Sequence, residues 1–161
     1  ENPIIQRKIQ LKSLKMKILL LNGPNLNLLG KREEDIYGNT SLEDLNERLI
    51  STAKKEDCEF TSIQSNAEHE LINEIHSAGE SNIDVILINP AAYTHTSIAI
   101  RDALLGVNIP FYEIHISDIS TREDFRNKSY LSDIAEKVYS GLGVDGYEMA
   151  LNEAISKFKN K

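Results

Sequence analysis

Leu19–Gly38 reads LLLNGPNLNLLGKREEDIYG, and the rest of the chain is organised around this stretch. Lys17–Leu21 (KILLL) leads into it as a short apolar run, the pattern of a buried strand. Asn22-Gly23-Pro24-Asn25 then breaks the strand, because glycine and proline both interrupt regular structure. Gly30 and Gly38 bracket a charge-dense segment holding Lys31, Arg32, three consecutive acids and Tyr37, the make-up of a lid that hinges. An arginine five residues before a tyrosine, beside a strand end, reads as a device for making a phenol basic.

Outward from this stretch, apolar strand-like runs alternate with helical periodicity. Thr40-Ser41-Leu42-Glu43 opens a capped helix with Leu42, Leu45, Leu49 and Ile50 at helical spacing. Glu59–Gln64 is a second, partly alternating strand, and Glu68–Gly79 a helix with a glycine stop. Asp84–Ile88 (DVILI) is hydrophobic enough to be central, and Ser97–Leu105 is a helix presenting Ile98, Ile100 and Leu104. Pro110–Ile116 and Ile134–Ser140 are the fourth and fifth strands. Asp145–Phe158 is the last helix, carrying Met149, Leu151, Ala154, Ile155 and Phe158, with Gly141, Gly143 and Gly146 loosening its approach. Alternating βα units with short apolar strands imply a parallel sheet covered on both faces. Five units make the first choice an α/β, flavodoxin-like, doubly wound five-stranded parallel sheet of order 2-1-3-4-5.

The 161 residues suffice for one domain with its own core, placed at residues 16–161. Residues 1–15 are basic and precede Met16, and read as an N-terminal extension or a remnant of expression. A net charge of −7 argues against a nucleic-acid groove. The single cysteine, Cys58, excludes an internal disulfide and fits a reducing, cytoplasmic compartment, where it serves as a small hydrophobe. The chain has no run of about 18 apolar residues that would span a membrane.

Ligands of such folds bind at the carboxyl ends of the strands, near the switch point between the first and third. Polar segments converge there: Asn22, Asn25, Arg32 and Tyr37 after the first strand, Asn89-Pro90-Ala91-Ala92-Tyr93-Thr94-His95-Thr96 after the third, and Glu113, His115, Ser117, Arg122 and Arg126 around the fourth. Neither a G-x-S-x-G elbow nor a phosphate loop with GK[ST] is present. His69 and His76 share a helix face without a carboxylate-rich metal pattern and read as surface histidines, so no metal site is assigned. What remains suits proton transfer on a polyhydroxylated anion. Tyr37 is the base, its phenol (ordinarily about 10) lowered by Arg32. His115 is the acid, since imidazole titrates near neutral pH. Asn25 holds a water or donates to a developing enolate oxygen, and Asn89, Ser117 and nearby amides seat a carboxylate. Taken singly, Tyr37 can equally pack under a loop, His115 can be a core histidine, His95 can neighbour a helix cap at Thr96 or Ser97, and Arg122 and Arg126 can be surface charges.

Three stretches in order, LLLNGPNLNLLGKRE…IYG at 19–38, INPAAYTHTSIAIRDAL at 88–104 and PFYEIHISDISTREDFRNKSYLS at 110–132, resemble the type II 3-dehydroquinate dehydratases, from Met16 to about Phe158. The resemblance implies reversible trans dehydration of 3-dehydroquinate to 3-dehydroshikimate through an enolate, with no cofactor. It casts Tyr37 as base at carbon 2, assisted by Arg32, Asn25 as the holder of a water at the enolate oxygen, and His115 as general acid with Glu113 orienting it. It makes Asn89 and the amides of Ile116 and Ser117 the carboxylate seat, and His95 and Arg126 contacts to ring hydroxyls. Asp102 resembles a residue reaching a neighbouring subunit's site in a homododecamer of trimers. Two departures stand out. Arg32-Glu33-Glu34 replaces the common R-E-P, removing a φ restraint from the lid, and Asp118 stands where asparagine is common, just beyond the carboxylate seat, an anion that would weaken substrate binding slightly if it faces inward. The competing classes are a flavodoxin-like small-molecule binding module, which lacks its phosphate-cradling loop here, and a silent assembly protein, which would need a lesion at Tyr37, Arg32 or His115.

Overall fold

The computed structural model describes residues 15–31, 35 and 39–160. Strand β1 (Lys17–Asn22) is buried from Ile18 onward. Because side chains alternate across a strand, Ile18 and Leu20 enter one apolar layer and Leu19 and Leu21 the other. An uninterrupted apolar run is therefore what a strand covered on both faces needs. Helix α1 (Leu42–Lys55) follows, then β2 (Glu59–Gln64), α2 (Glu68–Glu80), β3 (Val85–Asn89), α3 (Ile98–Val107), β4 (Phe111–His115), β5 (Lys137–Ser140) and α4 (Asp145–Phe158). All four strand pairings are parallel, and the order β2-β1-β3-β4-β5 is the one expected.

Helices α1 and α4 cover one face, with Leu45, Leu49, Tyr147, Leu151 and Ile155 against Ile18, Leu20, Leu87 and Ile114. Helices α2 and α3 cover the other, with Leu71, Ile75, Ile100 and Leu104 against Leu19, Leu21, Ile86 and Ile88. Each such leucine or isoleucine contributes about 1.5–3 kcal/mol through removal from water. Caps fix the helix starts: Ser41 Oγ accepts from Asp44 N at 3.1 Å, and Ser97 Oγ accepts from Ile100 N at 2.9 Å, each worth about 1 kcal/mol. Cys58 is buried and unbridged. Among the described residues no helix is long and apolar enough to cross a membrane.

Several local expectations need correction. Ile50, Ile98 and Met149 sit on their helices' apolar patterns yet are exposed, Ile98 by 56%. The pattern at those positions is wider than the surface each sheet face can cover. Gly79 does not stop α2, which continues to Glu80; a Cβ there would lie 3.4 Å from Val107 Cγ1, so it lets α2 and α3 approach closely. Gly146 lies within α4 and is buried, so it does not loosen the connection. The fifth strand begins only at Lys137, because Ile134 N and Ala135 N turn back to the Leu131 carbonyl.

Candidate active site

The register places Asn22 of β1 beside Asn89 of β3 at the carboxyl edge of the sheet. Their loops are joined where Gly23 N donates to the Asn89 carbonyl at 2.8 Å. A Cβ at Gly23 would come within 2.4 Å of the Pro90 carbonyl oxygen, so only glycine fits this crossing. Beneath it lies Tyr147 of α4, fully buried. Its hydroxyl donates to Asn22 Oδ1 at 2.7 Å and accepts from Asn89 Nδ2 at 2.7 Å. Burial pushes the Tyr147 phenol up, so it remains a neutral donor. Asn89 Oδ1 in turn accepts from Ala91 N at 3.1 Å, and Ala91 is held at φ 51°. Much of Asn89's amide thus shapes the wall of the site, although the residue also lines the cleft.

The cleft opens above this crossing, between the loop after β1 (Asn25, Leu28), the loop after β3 (Asn89, His95) and the end of β4 (His115, Ser117), with Arg122 and Arg126 across from them. Asn25 adopts the left-handed conformation at φ 69°, and its backbone N–H donates to Asn66 Oδ1 at 3.0 Å. His115 and Glu113 point to the same face of β4, two residues apart. His115 Nε2 lies 2.7 Å from Glu113 Oε2. The carboxylate accepts, so Nε2 carries the proton and Nδ1 is left as the ring's other edge. Ser129 Oγ donates to Glu113 Oε1 at 2.8 Å and Ser132 Oγ to Oε2 at 2.7 Å. Burial by itself pushes the Glu113 carboxyl up; the bond and charge of His115, then the two serine hydroxyls, outweigh it and hold the group below the usual carboxylate range.

His95 is set differently. Its Nδ1 lies 2.7 Å from the Lys128 carbonyl oxygen, which can only accept, so Nδ1 carries the proton. Burial lowers the basicity of this ring, the Lys128 hydrogen bond opposes it, and His115 and Arg126 reinforce the lowering. His95 is therefore a neutral imidazole near neutral pH, with the lone pair on Nε2 able to accept a hydrogen bond. Arg126 Nε donates to Glu123 Oε2 at 2.6 Å, and Arg122 Nη1 lies 3.5 Å from Ser117 Oγ. Two guanidinium groups facing two imidazoles suit a small anion bearing hydroxyls. The carbonyls of Ile116 and Ser117 accept from Gly143 N at 3.0 Å and Ser140 Oγ at 3.3 Å, pinning the end of β4.

Of the residues read from sequence, Asn25, Asn89, His95, His115, Ile116, Ser117 and Arg126 line this one cleft, and Glu113 lies directly behind His115. Tyr37 and Arg32 fall outside the described residues, as does the altered lid segment at Glu33 and Glu34. Asp102 is elsewhere, exposed on α3 in a shallow groove with Ile72, His76 and Gly106. Asp118, an anion that would weaken substrate binding only if it faced inward, turns its carboxylate to Ser120, accepting from its backbone N at 3.0 Å and its Oγ at 2.6 Å. Ser129, Ser132 and Tyr147 were missed: the serines lie in a loop and the tyrosine on an apolar helix face, where spacing signals packing and nothing signals the hydroxyl's partner.

Fold and cleft together define a doubly wound α/β enzyme with a carboxylate-backed imidazole at the switch-point edge. Residues 16–155 match the family model for class II dehydroquinase. The chain is 60% identical over 140 residues to the 3-dehydroquinate dehydratase of Proteus mirabilis (strain HI4320), covering 87% of this chain and 95% of that protein. Among solved structures, the type II dehydroquinase of Butyrivibrio crossotus DSM 2876 superposes with a TM-score of 0.85 at 44% identity, over 87% of this chain and 97% of that one. That of Propionibacterium acnes gives 0.84 at 41% identity, over 89% and 99%. The chain belongs to the class II dehydroquinase family, and it is a hydro-lyase.

Proposed function

We propose that the chain catalyses the reversible trans dehydration of 3-dehydroquinate to 3-dehydroshikimate, with Tyr37 taking the proton from carbon 2 and His115 protonating the departing hydroxyl. The observation that supports this most is the buried Glu113 carboxylate 2.7 Å from His115 Nε2, at a cleft that also presents Arg122, Arg126 and a neutral His95. Arg32 keeps the Tyr37 phenolate available, and a water on Asn25 stabilises the enolate oxygen. His115 then delivers its proton from Nδ1, and the hydroxyl leaves as water. The substrate carboxylate sits at Asn89 and the amides of Ile116 and Ser117, while His95 Nε2 and Arg126 take ring hydroxyls. No cofactor enters this route.

The same reading makes residues 16–161 one catalytic domain working in the cytoplasm, and assembles it as a homododecamer of trimers in which Asp102 reaches the neighbouring subunit's cleft. The position of Asp102 on an exposed helix face, away from its own cleft, favours that role. Purified protein mixed with 3-dehydroquinate is expected to generate the absorbance of a conjugated enone, and a flat trace would refute the reaction. Tyr37→Phe is expected to abolish turnover while leaving binding of a substrate analogue largely intact. Borohydride added with substrate is expected to leave activity unchanged, whereas covalent trapping would replace the enolate route with a Schiff base.

A further inference from the structure

Both cleft histidines are oriented by the same five residues. The Lys128 carbonyl holds His95 Nδ1, and the Ser129 and Ser132 hydroxyls hold the carboxylate that holds His115 Nε2. The segment is itself held from Ser129 to Ser132. Tyr130 N donates to the Thr94 carbonyl at 3.0 Å, one residue before His95. Leu131 is fully buried in the layer between the sheet and helices α2 and α3. Ser129 Oγ accepts from Leu131 N at 3.0 Å and Ser132 N at 3.2 Å, closing the segment on itself. Arg101 of α3 donates to the Tyr130 carbonyl at 2.8 Å and pairs with Asp133 at 2.5 and 3.0 Å.

We propose that Lys128–Ser132 is a single positioning strap, that Ser129 and Ser132 are positioning residues for acid catalysis through Glu113, and that the strap couples the settings of His115 and His95. The coupling to catalysis rests on the function proposed above; the coupling between the rings does not. The Glu113 carboxylate is fully buried, and its neighbours across the sheet, Ile88 and Val138, are uncharged. Among the described residues, the titratable groups that bear on it are His115 beside it and His95 across the cleft. On the helical layer of that face, Arg101 and Asp133 are paired with each other. Among the described residues, the two serine hydroxyls are thus the donors that keep this carboxylate anionic besides His115. Without one of them its protonated form gains, and protonation removes the acceptor that sets the His115 ring.

Ser132→Ala, Ser129→Ala and Ser132→Thr decide the matter. For Ser132→Ala the acid limb of the kcat profile is expected to move to higher pH, with kcat about tenfold down on that limb and nearly unchanged on the alkaline side. Ser132→Thr, which retains the hydroxyl, is expected to restore the profile. Ser129→Ala also removes the acceptor for two strap amides, so it is expected to shift the His95 ring 15N resonances although no serine touches His95. The 15N spectra of both rings are read without substrate. If wild-type protein fails to turn over 3-dehydroquinate, the function falls while the spectra still judge the strap. Profiles of unchanged shape in Ser132→Ala would overturn the positioning role. A His95 signal that stays fixed in folded Ser129→Ala would overturn the single strap.

Discussion

The end of β4 and the loop after β3 each bring a histidine to the same cleft, and the two rings are set for opposite tasks. His115 is held through Nε2 by an anion, Glu113, so the pair can carry a proton on Nδ1 and hand it over. His95 is held through Nδ1 by a neutral carbonyl and partly buried, so it stays uncharged and offers a lone pair. The residue type is the same at both places; the partner on the far nitrogen decides between donor and acceptor.

The sharpest way to break this contrast is Glu113→Gln. The amide's oxygen can replace Oε2 and accept from His115 and Ser132, but its NH2 then faces Ser129 Oγ, which already accepts from Leu131 N and Ser132 N. The reverse orientation points NH2 at His115. Neither satisfies the site, and the anion is gone in both. We expect kcat to fall by about 10²–10⁴-fold with analogue binding largely kept. A loss under about threefold would show that His115 needs no anion behind it.

His95→Ala should cost less, because it removes an acceptor for a hydroxyl and leaves proton transfer in place. The expected loss is about tenfold in kcat/KM, carried mainly by KM, and the pH profile should keep its shape. An altered acid limb would mean either that the His95 ring also moves protons or that its loss is passed to His115 through Lys128–Ser132.

Stability against pH separates the two regions more finely. The folded-state pKa of His95 lies below the unfolded one, so its contribution is complete above the ordinary histidine value of about 6.5 and is lost as pH falls through the folded value, the unfolded chain taking up the proton first. Glu113 is likewise depressed, so its contribution is complete above the ordinary carboxylate range and is lost only as pH falls below that range. Thermal unfolding should therefore weaken in two stages on acidification, and His95→Gln should remove the upper one. A single stage shared by wild type and variant would contradict the assignment of His95 as neutral.

These rings also show what sequence could and could not reveal. Lys17–Leu21 and Asp84–Ile88 were legible as central strands because burial on both faces selects a continuous apolar run. The strand ends were misjudged by one residue because Asn22 and Asn89 are polar and still belong to the ladder. His115 was legible as a titratable side chain at a strand end, whereas Glu113 as its partner was implied by the family resemblance; the two residues' spacing on a strand, which puts both side chains on one face, accounts for the contact. Lys128, Ser129 and Ser132 show no task in the sequence, since a carbonyl and two loop hydroxyls carry no periodic signal. Tyr147 was invisible for the opposite reason: its spacing with Leu151 and Ile155 describes a core side chain, and only coordinates show its hydroxyl joining β1 to β3.

The weakest expected effect concerns the other carboxylate near the end of β4. Glu113 lies under the cleft and sets a ring, whereas Asp118, five residues on, caps the short turn Ile119–Thr121 through Ser120. Hydrogen bonds from the Ser120 hydroxyl and amide hold the Asp118 carboxyl below its usual range, and burial scarcely opposes them. An asparagine Oδ1 can accept those same two bonds. Asp118→Asn should therefore change KM by less than about twofold, since an exposed charge not aimed at the ligand is screened by water. A clear fall in KM would mean that this anion reaches the substrate carboxylate despite its bonds to Ser120, and that charge at the end of β4 is felt through the cleft as a whole rather than through the one carboxylate behind His115.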